Sequence, residues 1–300
     1  MHAARNELQA AERQLERIQQ DPLALRLDVI EAENAVVNAQ NDLLAAIRQA
    51  RTAAADSYYA ALEARNDLEV STQQKAIART TLEATRIRFE AGAATRIELE
   101  TAENELEAAQ QRLEDTEGTF SLALAQLSGL LGQKISEQEL QPITANPDVP
   151  QLDTALERLR TNTGLEVARQ AIEIAELELA AVDNAFSSRL EIEQAEAHLE
   201  GVRRDLNALV ESLELTVRQR HNQALIAQGK HESALAALDA TAEKLNAQEL
   251  RYESGIISQL ELMQAQLDHV EAKAQVAIAL HDLLQAIQDL ETAMTGSTGN

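Results

Sequence analysis

The 300 residues include 2% aromatics, no Trp, no Cys, 10 Gly and 4 Pro, which is too few large rings and turn formers for a conventional globular core or a sheet-rich fold. Ala, Leu, Glu, Gln and Arg dominate, the composition of long helices and coiled coils, so an all-α fold is expected. The net charge of -24 argues against nucleic acid and anionic membrane surfaces as partners, and the absence of Cys removes disulfides, thiol chemistry and Cys-based metal sites.

In chain order, the breakers predict a short helix from about Ala3 to Gln20 that stops at Asp21-Pro22, then a long helix from about Asp28 to Glu90. Gly92 permits a tight reversal, and a returning helix runs from about Thr95 to Leu131. Pro142, Pro147 and Pro150 interrupt the chain before a second series begins. That series has a short helix at about Leu165 to Asp183, a long one from Glu191 to Ser254, a reversal at Gly255 and a return from Ser258 to Met294. At 1.5 Å per residue each long helix reaches about 95 Å, a length that requires coiled-coil support. No stretch approaches the roughly 18 apolar residues of a spanning helix. The N-terminal Met1-His2-Ala3-Ala4-Arg5-Asn6-Glu7 lacks the apolar core of a signal peptide. A soluble chain without direct membrane insertion is expected.

The two series are copies. The halves align without a gap at an offset of 163 residues, which carries Arg26-Leu27-Asp28-Val29 to Arg189-Leu190-Glu191-Ile192. The same offset carries Arg88-Phe89-Glu90-Ala91-Gly92 to Arg251-Tyr252-Glu253-Ser254-Gly255, and Glu98-Leu99 with Ala102 to Glu261-Leu262 with Ala265. The Gly and the Arg-aromatic pair fall outside the Ala and Leu bias of helical sequence, so chance does not explain them. The expected organisation is a first repeat over 1–132, a Pro-containing linker with a short helix over 133–163, and a second repeat over 164–300.

Each returning helix carries a heptad. Leu99, Leu106, Leu113, Phe120 and Leu127 alternate with Ala102, Ala109, Thr116, Ala123 and Leu130, and the second copy reads Leu262, His269, Val276, Leu283 and Leu290 with Ala265, Ala272, Ala279, Ala286 and Ala293. Large layers alternating with Ala layers let two helices approach closely along one seam, and the opposite face reads as charged. A return of about 37 residues leaves about 26 residues of its long partner uncovered, close to the length of the short helix. One long helix flanked by two shorter ones, stacked end to end, closes that gap. The expected fold is therefore long antiparallel coiled-coil helices in two tandem structural repeats.

The reversals carry a family resemblance. Arg88 to Leu99 and Arg251 to Leu262 resemble the paired tip motifs of TolC-like outer membrane efflux proteins, whose pattern is Arg-aromatic-x-x-Gly, a small hydroxyl residue, an acid and an Ala-rich return. The segment from Leu152 through Asn162 to Arg169 resembles the short helix and Asn-containing turn that open each family repeat. The resemblance implies a trimeric tunnel in which an α-helical barrel continues into a membrane β-barrel. The family inserts a strand pair between the short and long helices. The junctions Gln20 to Arg26 and Asn184 to Arg189 are too short for two transmembrane strands of about 9 to 11 residues each. The chain thus reads as a TolC-like α-barrel subunit without the membrane β-barrel, and the first repeat lacks an equivalent of Thr154 to Asn162.

Under that resemblance, Arg88, Gly92, Thr95, Arg251, Gly255 and Ser258 line the tips that receive the α-hairpin of a periplasmic adaptor (membrane fusion) protein. Thr95 and Ser258 are also candidate helix caps, and a stable αα-corner alone would explain the same residues. Glu98 and Glu261, with Gln264 one turn on, match the acidic aperture of the tunnel. A solvated helical face is the alternative, since acids number 50. A homotrimer in the periplasm or cell envelope is implied.

His269, which interrupts the heptad, reads as a polar register residue, because none of the six His has a partner at ligand spacing of three or four. No catalytic constellation, phosphate loop, cofactor box or metal site is expected. Two functions stay open at this level: a tunnel subunit of an efflux or export system, and a coiled-coil scaffold or spacer packed as a monomeric bundle. A barrel needs a second, lateral packing stripe. Val36, Val37, Leu43, Leu44 and Ile47 favour one on the first long helix. An enzyme is a distant third.

Overall fold

The computed structural model describes residues 2–22, 25–141, 147–184 and 187–296. Pro142 and parts of both short-to-long helix junctions (23–24 and 185–186) lie outside these residues. The described helices are α1 (His2–Gln20), α2 (Arg26–Glu90), α3 (Arg96–Leu131), α4 (Leu152–Arg158), α5 (Thr163–Val182), α6 (Arg189–Glu253) and α7 (Gln259–Thr295), with 3-10 turns at Glu137–Glu139 and Leu159–Thr161. Among the described residues there is no strand, and no helix is long and apolar enough to cross a membrane. The fold is all-α.

The offset seen in the sequence recurs in the backbone. α2 and α6 both contain 65 residues, and their ends correspond at 163 residues' separation. Each long helix ends at a glycine in the left-handed region, Gly92 at φ 73° and Gly255 at φ 68°, a conformation in which an L side chain is strained.

Contacts group the chain into two compact units. One contains Met1–Thr52, Asp148–Leu225 and Gln285–Asn300, and the other Ala53–Pro147 and Ile226–Leu284. In the first unit, α4 to α7 contribute to one core: Ala155, Leu159, Leu165, Val217, Ala224, Leu290 and Met294 are all buried together. Asn162 joins the ends of two helices there. It is 1% exposed; its side-chain oxygen accepts from Gly164 N–H at 2.9 Å, and its Nδ2 donates to the carbonyls of Ala293 and Met294, both at 3.3 Å. The C-terminal carbonyls of α7 and the first turn of α5 are satisfied by one side chain. Arg203 to Glu176 at 2.7 Å and Arg220 to Asp289 at 2.9 Å tie α6 to its flanking helices. α6 is thus flanked in this unit by α5 and by the end of α7.

In the second unit the core is Tyr59, Ala61, Leu62 and Ala64 of α2 against Phe120, Ala123 and Leu127 of α3, closed by Leu140 of the linker. The linker is held by side chains reaching from α2, with Tyr58 donating to the Gln141 carbonyl and Arg65 to that of Leu140. The predicted heptad of α3 is the buried one: Ala102, Ala109, Phe120, Ala123 and Leu127 are buried, and Leu99, Leu106, Leu113 and Thr116 half-buried. Leu130 departs from it at 50% exposure, because α3 ends one residue later and Gly132 turns the chain away.

The second returning helix departs further from expectation. Besides its heptad, α7 covers a second stripe, Met263, Leu267, Val270, Ala274, Ala277, His281, Leu284 and Gln288, each buried or half-buried. The expectation of a single seam with a charged opposite face fails for α7. This second stripe faces α2: Thr80 lies 3.6 Å from Met263, Lys273 pairs with Glu69 at 3.9 Å, and His281 stacks on Tyr59. The heptad seam of α7 faces α6, where Lys244 pairs with Asp268 at 2.7 Å and the Thr241 hydroxyl lies 3.3 Å from His269 Nδ1. Of the lateral residues singled out on α2, Val36, Val37, Leu43 and Ile47 are half-buried and Leu44 is exposed.

Candidate functional site

The two reversals share one construction. After α2, Gly92 N–H bonds the Phe89 carbonyl at 2.9 Å and Ala93 N–H bonds that of Arg88 at 2.7 Å. After α6, Gly255 bonds Tyr252 at 2.9 Å and Ile256 bonds Arg251 at 2.8 Å. These paired bonds around a left-handed residue satisfy the last carbonyls of the long helices. A Cβ at either glycine would meet no atom within 4 Å, so backbone conformation rather than crowding requires Gly there.

The returning helices open with matched capping boxes. Thr95 Oγ1 accepts from Glu98 N–H at 3.2 Å, while the Glu98 carboxylate accepts from the Thr95 backbone N–H at 2.6 Å and hydroxyl at 2.8 Å. Ser258 and Glu261 repeat this at 3.3, 2.7 and 2.8 Å. Two orphan N–H groups are satisfied at each helix start, and a carboxylate sits at the positive end of the dipole. Both carboxyls are held below the ordinary glutamate range, first by the backbone N–H of the cap residue, then by its hydroxyl, with Arg88 or Arg251 adding positive charge.

All nine predicted site residues thus fall at two places. Arg88, Gly92, Thr95 and Glu98 share the first tip, where the Arg88 guanidinium reaches the Ala93 carbonyl at 3.4 Å and Glu98 at 3.7 Å. Arg251, Gly255, Ser258, Glu261 and Gln264 share the second, where Arg251 instead donates to Gln248 at 3.3 Å. Gln264 donates to Asp268 at 3.1 Å and so helps orient the acid that Lys244 neutralises.

Sequence reasoning singled out Phe89 and Tyr252 through the Arg-aromatic pairs but missed the aliphatic residues that surround these turns. Ile87, Phe89 and Ile97 are exposed at the first tip, and their counterparts Leu250, Tyr252 and Leu260 at the second, where Ile256 adds another. Their signal was available, since each pair recurs at the 163-residue offset yet lies off the heptad seam. Among the described residues no group of three or more His, Asp or Glu is arranged to hold a metal ion.

Residues 24–133 match the sequence model of the outer membrane efflux protein family. The structure resembles CusC, at 14% identity with a TM-score of 0.62, over all of this chain and 92% of CusC. It resembles the outer-membrane channel OprN equally well, at 14% and 0.62 over 98% of this chain and 86% of OprN. The Campylobacter jejuni CmeC outer membrane channel matches at 11% and 0.58, over 96% of this chain and 68% of CmeC. No curated protein sequence matches the chain. The match over 24–133 is to the outer membrane efflux protein family, and the chain as a whole, all-α among its described residues, has a TolC-like fold.

Proposed function

We propose that this chain is a TolC-like α-helical tunnel subunit of a tripartite efflux or export system in the cell envelope, working by assembly and gating rather than by reaction. Its two repeats, 1–132 and 164–300, joined by the linker 133–163, each present one tip to the hairpin of a periplasmic adaptor protein. The observation that carries this reading is the matched pair of tips. Each joins a left-handed glycine, a capping box and an Arg to at least three exposed apolar side chains. Scattered exposed Leu or Ile needs no explanation, whereas the same positions exposed at both tips form a surface suited to a docked helical hairpin.

The family resemblance implies a homotrimer, and association of copies side by side is supported by what the edge helices leave open. α2 meets α7 along Asp56, Tyr59, Glu63 and Asn66. The residues 163 further on in α6, namely Gln219, Asn222, Ile226 and Gly229, are all exposed. The counterparts on α3 of the second α7 stripe are exposed as well. An α3 edge meeting the α6 edge of another copy would continue the repeat pattern, as expected of a closed ring. Around such a ring, Glu98, Glu261 and Gln264 would form the polar aperture, with the two carboxylates fixed in position by their caps.

Light scattering together with a binding assay against an adaptor hairpin tests the reading. A mass three times that of the chain and saturable binding are expected. A monomer that ignores adaptor hairpins would overturn the proposal and leave the scaffold reading.

A further inference from the structure

We infer that His281 is a pH-operated latch between the repeats: protonation of its imidazole ties both Asp56 and Glu63 of α2 to α7 and tightens the seam. The residue sits on the second stripe of α7, with its ring 11° from parallel to that of Tyr59 and the centroids 4.1 Å apart. Its two nitrogens address different acids. Nδ1 lies 3.5 Å from Glu63 Oε1, and Nε2 lies 3.6 Å from Asp56 Oδ1. Asp56 and Glu63 stand seven residues apart, two turns along the face of α2. The His281 side chain is 20% exposed, and its Nε2 is shielded from solvent with no hydrogen-bond partner among the described residues.

A neutral imidazole has a single N–H, so whichever nitrogen carries it, the other turns a lone pair toward a carboxylate. Protonation removes that conflict. Both nitrogens then donate charge-assisted hydrogen bonds across the seam, and the cation lies over the Tyr59 ring. The titratable groups that face His281 are the two carboxylates and the Tyr59 phenol. Tyr59 stays neutral through this range, because burial first, and then Tyr58, raise it above an ordinary tyrosine. On α7 itself the neighbouring Asp282 is exposed, and Lys273 is engaged with Glu69. The carboxylates are 39% and 49% exposed, so water weakens the attraction without cancelling it. The sign follows: the latch is closed while the imidazole carries both protons and is lost when it gives one up.

The latch rests on the α2–α7 contact and not on the tunnel reading, so failed adaptor binding would leave it standing. Hydrogen exchange on the purified chain tests it, through the protection of amides in residues 53–66 and 274–288. After correction for intrinsic exchange, protection is expected to rise by about three- to tenfold between about pH 8 and about pH 5.5. The rise should disappear in His281→Gln. It should disappear equally in an Asp56→Asn, Glu63→Gln double variant, which keeps the imidazole and guards against His281→Gln simply loosening the seam. A wild-type rise that survives in either variant overturns the proposal.

Discussion

The two returning helices correspond at the 163-residue offset and carry matching heptads, yet one is packed on two sides and the other on one. Along its second stripe α7 has Met263, Leu267, Val270, Ala274 and Ala277, where α3 has Glu100, Asn104, Glu107, Gln111 and Glu114. All five on α3 are exposed, and all five on α7 are buried or half-buried. The two hairpins match closely, with long helices of 65 residues each and returns of 36 and 37. The substitutions on one face then decided which helix became the seam between repeats and which stayed an edge. A heptad therefore identifies a first partner, while the opposite face tells whether there is a second.

The largest expected effects come from exchanging these faces. Leu267, 7% exposed, should cost about 2–5 kcal/mol when changed to Ala, since the methyl groups it loses leave a cavity between packed helices. Ala277→Glu installs the residue type that α3 has at 114, and should destabilise by about 1–3 kcal/mol because the longer side chain crowds the face packed against α2. The reciprocal Glu114→Ala and Asn104→Ala should stay within about 0.5 kcal/mol. Urea unfolding followed by circular dichroism checks all four, and comparable losses on α3 and α7 would break the comparison.

Next comes the junction that Asn162 makes with the end of α7. Asn162→Ala removes two donors to the α7 carbonyls and the cap of α5, at an expected cost of about 2–3 kcal/mol. At the corresponding end of α3 a Ser128 hydroxyl accepts from Ile135 N–H at 3.0 Å. Ser128→Ala should cost about 0.5–1.5 kcal/mol, one hydrogen bond's worth. Equal losses would show that the two ends are held alike despite their different partners.

Smaller effects are expected at the tips, where the repeats agree. Gly255→Val places a β-branched residue at φ 68°, a strain of about 1–3 kcal/mol. It should leave most helicity intact and weaken adaptor binding; unchanged binding would remove the second tip from the dock. Thr95→Ala and Ser258→Ala should each cost about 1 kcal/mol of local helix stability, visible as faster amide exchange in the first turns of α3 and α7. These caps also predict a pH dependence. Because Glu98 and Glu261 are held below the ordinary glutamate range in the folded chain, their stabilisation is fully present above that range. It is lost as the pH falls through the lowered folded values. Exchange at both helix starts should therefore accelerate in acid, in the opposite direction to the His281 latch.

Much of the site was legible in the sequence because it depends on short-range rules. Glycine ends a helix at positive φ, and Thr95-x-x-Glu98 and Ser258-x-x-Glu261 form boxes whose partners lie within one turn. The exposed Ile87, Ile97, Leu250 and Leu260 were not singled out, since an apolar residue reads as core until the packing shows that nothing covers it. His281 was equally opaque, because its partners Asp56 and Glu63 lie more than 200 residues away in the chain.

The helices, their lengths, the reversals at Gly92 and Gly255 and the heptad seam of each hairpin follow from local propensity and a period of about 3.5 residues. That α7 takes a second partner in α2, that Asn162 bonds the ends of two helices and that one imidazole lies between two acids emerges from the folded chain alone. Those contacts join segments far apart in the chain, where the choice of partner depends on how whole faces fit and not on any local pattern.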